Sequence, residues 1–245
     1  MTFLFKKFSV DDEKSSIRVG TDAILLGSWA DLTTANNILE IGTGCGVIAL
    51  MLAQRSNAKI TAIDIHRESI EQATENFSLS PWNDRIHPVE ISLQEFACKQ
   101  DLEINMIISN PPFFTNSLKS PDPSKNIAKH DQHLPLDELM GSARQLFSLP
   151  GTPSSDRTQK QQSICIIIPY SKAAEVENSA CHYGLYLRKQ LVIYPILGKP
   201  ANRIILEFSN QPVTKIETAC LTIRNSDYSY SEQYKELTKE FYLNF

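Results

Sequence analysis

Glu40-Ile41-Gly42-Thr43-Gly44-Cys45-Gly46 follows the short apolar run Asn37-Ile38-Leu39 and leads into Val47-Ile48-Ala49-Leu50-Met51-Leu52-Ala53. The pattern reads as a strand, a glycine-rich turn and a helix. Glycines at 42, 44 and 46 let the backbone turn tightly and approach a ligand with no Cβ in the way. The helix that follows presents its N-terminus to that ligand. The spacing G-x-G-x-G lacks the last interval of the dinucleotide fingerprint G-x-G-x-x-G, and a phosphate loop ending in Gly-Lys-Ser is absent. The acidic Glu40 just before the glycines suits a cationic ligand group better than a pyrophosphate. Asp64 ends the next apolar run, Ile60-Thr61-Ala62-Ile63. A carboxylate at that place can accept both hydroxyls of a ribose.

Outward from this turn, strand and helix alternate. Strand-like runs are 37–41, 60–63, 86–91, 106–109, 164–168, 185–194 and 203–208. Several are almost wholly apolar, as in strands covered on both faces. Helical periodicity fills 46–55, 68–77, 136–147 and 172–183. Alternation of this kind implies parallel strands joined by right-handed crossovers. The last two long strands follow each other with no helix between, which predicts an antiparallel hairpin at one edge. The segment 149–163 (LPGTPSSDRTQKQQS) is polar and reads as a flexible inserted loop. The tail reads as a helix capped by Ser231, with Tyr234, Leu237, Phe241 and Tyr242 packing on the core.

The bulk composition fits this pattern. A chain of 245 residues can bury one good core. It is read as a single domain over 1–245, with 1–36 forming an N-terminal lid and helix region. Apolar residues make up 42% and charged residues 21%, which excludes neither an enzyme nor a binding protein but does exclude a disordered chain. No stretch approaches the roughly 18 apolar residues that span a bilayer. The N-terminus lacks a signal-peptide apolar region, so a cytoplasmic location is expected. Five cysteines, an odd number without a CxxC pair, read as reduced structural thiols and give no metal site. A net charge of −4 is not the footprint of a generic nucleic-acid binder, yet basic residues cluster at 119–129 and 188–203.

A second signal stands seventy positions after Glu40: Asn110-Pro111-Pro112-Phe113, at the end of the strand Ile107-Ile108-Ser109. Two prolines fix φ and remove two donors. What remains is a rigid set of acceptors, the Asn110 side-chain oxygen and the Pro111 carbonyl. An exocyclic amine has two hydrogens to give. Held by both acceptors, its lone pair is freed from ring conjugation, and no strong general base is required. Phe113 or Phe114 can stack on a planar substrate.

Glu40, the three glycines and Asp64 resemble the donor-binding signature of class I S-adenosylmethionine (SAM) methyltransferases, and Asn-Pro-Pro-Phe resembles the catalytic turn of amino-methyltransferases. The resemblance implies an α/β fold with a Rossmann-like, seven-stranded, mostly parallel sheet and an antiparallel edge hairpin. It also implies SAM as methyl donor, S-adenosylhomocysteine as product and no metal. Glu40 would face the methionine ammonium, Asp64 the ribose, and Asn110 would border both donor and substrate. Ser92 stands where the family usually has an acidic contact to the adenine amine.

The block Arg18 to Ala30 (RVGTDAILLGSWA) reads on physical grounds as a helix capped by Thr21 or Asp22, with Ala23, Leu26 and Trp29 facing a core. It resembles a block found in bacterial tRNA1(Val) adenine-37 N6-methyltransferases, as do Leu50 to Arg55, Asn76 to Arg85, Ile107 to Pro112, Tyr230-Ser231-Glu232 and Phe241-Tyr242-Leu243. Phe113 replaces the tyrosine usual in that family. The resemblance implies methylation of adenosine N6 beside the anticodon of a valine tRNA, with Thr21 and Asp22 closing the donor pocket. Lys125, Lys129, His130 and Arg203 are candidates to meet phosphates of the anticodon arm. No membrane and no obligate protein partner is implied. Competing readings are guanine-N2 methylation of rRNA, N5-methylation of a protein glutamine, and a non-catalytic RNA-binding module.

Overall fold

A computed structural model describes residues 1–15, 18–99, 102–111, 134–148 and 161–244. Of the expected site residues, Pro112, Phe113, Phe114, Lys125, Lys129 and His130 lie outside the described residues, as does 149–160 of the expected loop.

A small antiparallel pair, β1 (Thr2–Leu4) and β2 (Ser9–Asp11), precedes helix α1 (Thr21–Trp29). The alternating region then runs β3 (Asn37–Ile41), α2 (Val47–Arg55), β4 (Lys59–Asp64), α3 (Arg67–Ser78), β5 (Ile86–Glu90), α4 (Leu93–Lys99) and β6 (Met106–Ser109). After it come α5 (Leu136–Phe147), β7 (Ser163–Pro169), α6 (Ala173–His182), β8 (Tyr186–Ile196), β9 (Arg203–Ser209), β10 (Glu217–Arg224) and α7 (Glu232–Thr238).

The main sheet has the order β10-β8-β9-β7-β6-β3-β4-β5. β9 is antiparallel to both β7 and β8, and the other pairings are parallel. The expected antiparallel hairpin of β8 and β9 therefore forms, toward one edge of the sheet. The strand count is eight rather than seven, because β10 adds itself outside β8 in parallel register. β10 escaped the sequence reading because an edge strand needs little buried side-chain area: of its eight residues only Leu221 is buried.

Continuous apolar strands feed two cores. Along β7, Ile164, Ile166 and Ile168 enter one cluster, while Cys165 and Ile167 enter the other. The period of two sends alternate residues to opposite faces. One face is covered by α1, α2, α3 and the tail, the other by α4, α5 and α6. The chain leaves β3 outward through β4 to β5 and then returns to β6 on the other side of β3. The order reverses between β3 and β6, and ligands of open α/β sheets bind at such a point, beyond the carboxyl ends of the strands.

Two local expectations are corrected. The cap of α1 is Gly20, with no side-chain cap bond, so Thr21 is the first helical residue. Ser231 does cap α7, accepting from the Tyr234 amide at 3.1 Å, but the helix ends at Thr238. Phe241 and Tyr242 lie beyond it, where the Phe241 carbonyl accepts the Lys6 amide at 2.9 Å. Docking against the first β-hairpin wins over continued helix.

Candidate active site

The glycine turn joins β3 to α2 at the switch point. Gly42, Gly44 and Gly46 all have positive φ, at 73°, 56° and 83°, where an L side chain is strained. The amides of Gly42 and Thr43 donate to the Ile63 carbonyl at 2.9 and 3.0 Å, which binds the turn to the end of β4. At Gly46 a Cβ would stand 2.3 Å from the Phe77 ring of α3, whereas at Gly42 it would meet nothing within 4 Å. Gly46 serves packing, and Gly42 leaves open space for a ligand.

Glu40 is fully buried under the turn. Its Oε2 accepts from Thr43 Oγ1 at 2.7 Å, and its Oε1 has no partner. Burial pushes the carboxyl up to about 8, with the charge of Asp64 adding to the effect. A buried carboxylate oxygen without a partner is costly unless a ligand supplies one.

Asp64, at the end of β4, is buried as well. Its Oδ2 accepts the Gly44 amide at 3.0 Å and its Oδ1 the His66 amide at 2.9 Å. Each oxygen keeps one lone pair free. Ser92 sits at the end of β5 and caps α4: its Oγ accepts the Glu95 amide at 3.2 Å and faces Glu95 Oε2 at 3.3 Å. Neither Asp64 nor Ser92 is among the residues that line the cavity.

That cavity holds about 350 Å³ and lies over the turn. It is lined by Gly42, Thr43, Gly44 and Cys45 of the turn with Val47 and Ile48, by Arg18 and the start of α1, including Thr21 and Asp22, and by Asn110 at the end of β6. Ser109 Oγ donates to the Ile41 carbonyl at 2.9 Å, which ties the end of β6 to the root of the glycine turn. Pro111 is buried behind Asn110. The structure thus brings Thr21, Asp22, Gly42, Gly44 and Asn110 around one space, and Glu40 and Asp64 are bonded to Thr43 and Gly44 of its lining. Arg203, a candidate for phosphate contact, donates from Nε to Asp22 Oδ2 at 2.8 Å.

Sequence reasoning passed over three residues here. Arg18 lines the cavity, and its signal was its place at the head of the quoted block. Thr43 lies inside the glycine motif and supports Glu40. Asn76 is nearly fully buried on α3. Its amide nitrogen donates to the carbonyls of Cys45 and Asp11, both at 2.8 Å, and its oxygen accepts the Asp11 amide at 3.0 Å. It joins the first β-hairpin to the glycine turn. Its signal is a polar residue in the buried stripe Ser69, Gln72, Ala73, Asn76, Phe77.

Cys45, also buried, has its thiol pushed up to about 12 by that burial, so it is an inert neutral group. The five cysteines are unpaired. Among the described residues no helix is long and apolar enough to cross a membrane, and no group of three or more His, Cys, Asp or Glu could hold a metal ion.

Residues 14–134 match the Methyltransferase small domain family. A tRNA1(Val) (adenine(37)-N6)-methyltransferase from Phocaeicola vulgatus is 43% identical over 99% of this chain and 97% of its own length. Proteins of the same description from Flavobacterium johnsoniae and Aeromonas hydrophila are 38% and 34% identical; each match covers 98% of this chain, and 99% and 97% of theirs. Among solved structures, a predicted O-methyltransferase from Agrobacterium tumefaciens superposes with a TM-score of 0.62 at 17% identity, covering 90% of this chain and 96% of that one, a likeness of fold. With relatives that are 34–43% identical over nearly its full length, the chain belongs to the tRNA1(Val) (adenine(37)-N6)-methyltransferase family and is a SAM-dependent methyltransferase.

Proposed function

We propose that this enzyme methylates N6 of adenosine 37, beside the anticodon of a valine tRNA, with S-adenosylhomocysteine as the second product. The observation that carries the reading is that Asn110 shares one cavity with the glycine turn. A donor held over the turn and an amine held at Asn110 are then neighbours, which is the positioning that such a reaction needs.

The residues fit SAM. The orphan Oε1 of buried Glu40 suits the methionine ammonium, directly or through water. The open space at Gly42 admits a ligand close to the backbone. Asp64 keeps a lone pair on each oxygen for the ribose, and Thr21 and Asp22 cover the other side as part of a lid over 1–36. When bound, SAM supplies an electrophilic methyl group. The Asn110 side-chain oxygen and the Pro111 carbonyl accept the two amine hydrogens and turn the nitrogen lone pair out of the ring plane. The proton leaves after the N–C bond forms, so His130 is not needed as a base. Phe113 or Phe114 supplies an aromatic face for the base, and Lys125 and Lys129 supply cations for the anticodon arm. A base in an RNA loop is already partly unstacked, which lowers the cost of placing it in the pocket. We place the reaction in the cytoplasm, in one catalytic domain.

The test uses labelled SAM and the purified protein with total tRNA, and in parallel with rRNA and with total protein, each from a strain lacking the enzyme, followed by nucleoside and amino-acid analysis. Label in N6-methyladenosine of one valine isoacceptor supports the reading. Label in rRNA guanine or protein glutamine instead would move the substrate and keep the chemistry.

A further inference from the structure

The cation that meets Asp22 comes from the far end of the chain, 181 residues away. Arg203 opens β9, is about one-third exposed and also donates from Nη1 to the Asn202 carbonyl at 3.1 Å. Asp22 lies in the first turn of α1 and lines the donor cavity.

The other end of α1 is held by the same hairpin. Asp31, just past the helix, accepts Lys189 Nζ at 2.7 Å and Arg188 Nη2 at 3.1 Å. Consecutive strand residues normally point to opposite faces. Here the register shifts between Leu187 and Lys189, and both cations reach one carboxylate. Burial raises the Asp31 carboxyl, but the Lys189 ammonium and the two hydrogen bonds from Thr33 outweigh it and hold the group well below the usual carboxylate range. From the other side, Arg55 of α2 donates to the Gly27 and Ala30 carbonyls at 2.7 and 2.9 Å. The hairpin of β8 and β9 therefore grips α1 at both ends, while the glycine turn also lines the cavity.

We infer that Arg203 is a positioning residue for the methyl donor: through Asp22 it holds the start of α1 against the SAM cavity, rather than spending its charge on tRNA phosphate. The inference rests on the cavity being the SAM site. Nε is the atom committed to Asp22, so lysine at 203 keeps the charge but not the forked geometry.

The experiment measures SAM affinity by calorimetry, tRNA affinity by filter binding across a salt series, and steady-state methylation kinetics, for wild type, Arg203→Gln, Arg203→Lys, Asp22→Asn and the Asp22→Asn/Arg203→Gln double variant. In Arg203→Gln the dissociation constant for SAM rises about fivefold, the size a partly exposed ion pair supports. The loss falls on KM for SAM more than on kcat, and Arg203→Lys recovers part of it. The double variant is no worse than the worse single, because both break one interaction. The salt slope of tRNA binding stays that of wild type. Unchanged SAM affinity in Arg203→Gln, with wild type binding SAM normally, would overturn the inference and leave the function standing. So would additive effects in the double variant, or a salt slope for tRNA reduced by about one unit, which marks a lost phosphate contact. A wild-type protein that binds no SAM would instead count against the functional reading on which the inference rests.

Discussion

The amide of Gly44 donates to Asp64 Oδ2 at 3.0 Å, so the carboxylate proposed to hold the donor's ribose also holds the glycine turn proposed to cradle the donor. With Oδ1 on the His66 amide, Asp64 fixes the turn and its own strand end together. Asp64→Ala therefore removes two charge-assisted hydrogen bonds as well as a ligand contact. We expect the dissociation constant for SAM to rise roughly 10- to 100-fold, since each such bond is worth about 1.5–3 kcal/mol. Thermal stability of the ligand-free protein should fall too. Calorimetric titration and differential scanning calorimetry check the two effects. Weakened SAM binding at unchanged Tm would mean that the Gly44 bond contributes nothing to the fold.

Asn110 lines the cavity at the end of β6, with its strand tied to the glycine turn through Ser109 and Ile41. Asn110→Ala deletes an acceptor for the amine without disturbing that tie. By analogy with the loss of one oxyanion-hole donor, kcat should drop roughly 10²–10³-fold. SAM binding should persist. Single-turnover kinetics with saturating SAM, beside a binding isotherm, separates the two, and lost SAM binding would contradict the assigned role.

Glu40 is pushed up to about 8 by burial, so at neutral pH much of the ligand-free protein carries it neutral. A folded pKa above the ordinary 4.5 makes a stability contribution that is full below about 4.5 and is lost as pH rises through about 8. The stability of wild type should decline across that window relative to Glu40→Gln. A cationic ammonium favours the ionised carboxylate, so SAM binding below pH 8 should release protons and tighten as pH rises toward 8. Calorimetry in two buffers of different ionisation enthalpy counts those protons. Equal proton release in wild type and Glu40→Gln would remove Glu40 from the linkage.

Gly46 combines a φ of 83° with a Phe77 ring carbon 2.3 Å from the place of a Cβ. Gly46→Ala meets a left-handed backbone cost of about 1–2 kcal/mol and an overpacking cost of about 1–3 kcal/mol. A Tm decrease on the order of 10 °C is expected. Gly198→Ala is the control: its φ is 80°, but a Cβ there meets nothing within 4 Å. It should lose clearly less, and equal losses would show that the Phe77 contact yields freely.

Most of the α/β alternation was legible because its signal is local. Continuous apolar runs such as Ile164 to Ile168 announce a strand buried on both faces, and 3.6-residue stripes announce the helices between. The donor turn was legible for a related reason: positive φ at three alternate positions requires glycine, and the acids beside it are unusual in apolar strands. β10 was not legible, since its pairing is made by backbone groups that every residue carries. α4 is short, and Ser92, which stands in the position of an adenine contact, is spent on capping it.

The sequence by itself determined the glycine turn, the order of the two motifs and the strands that lead into them, because each needs particular residue types at fixed spacing. Tertiary structure alone decided that Asn110 and the glycine turn share one cavity, since β3 and β6 become neighbours only when the strand order reverses. It alone set Asn76 between the first hairpin and Cys45, and Arg203 against Asp22. A charge or an amide in the sequence states what it can bond, and only the folded chain brings the partner within 3 Å.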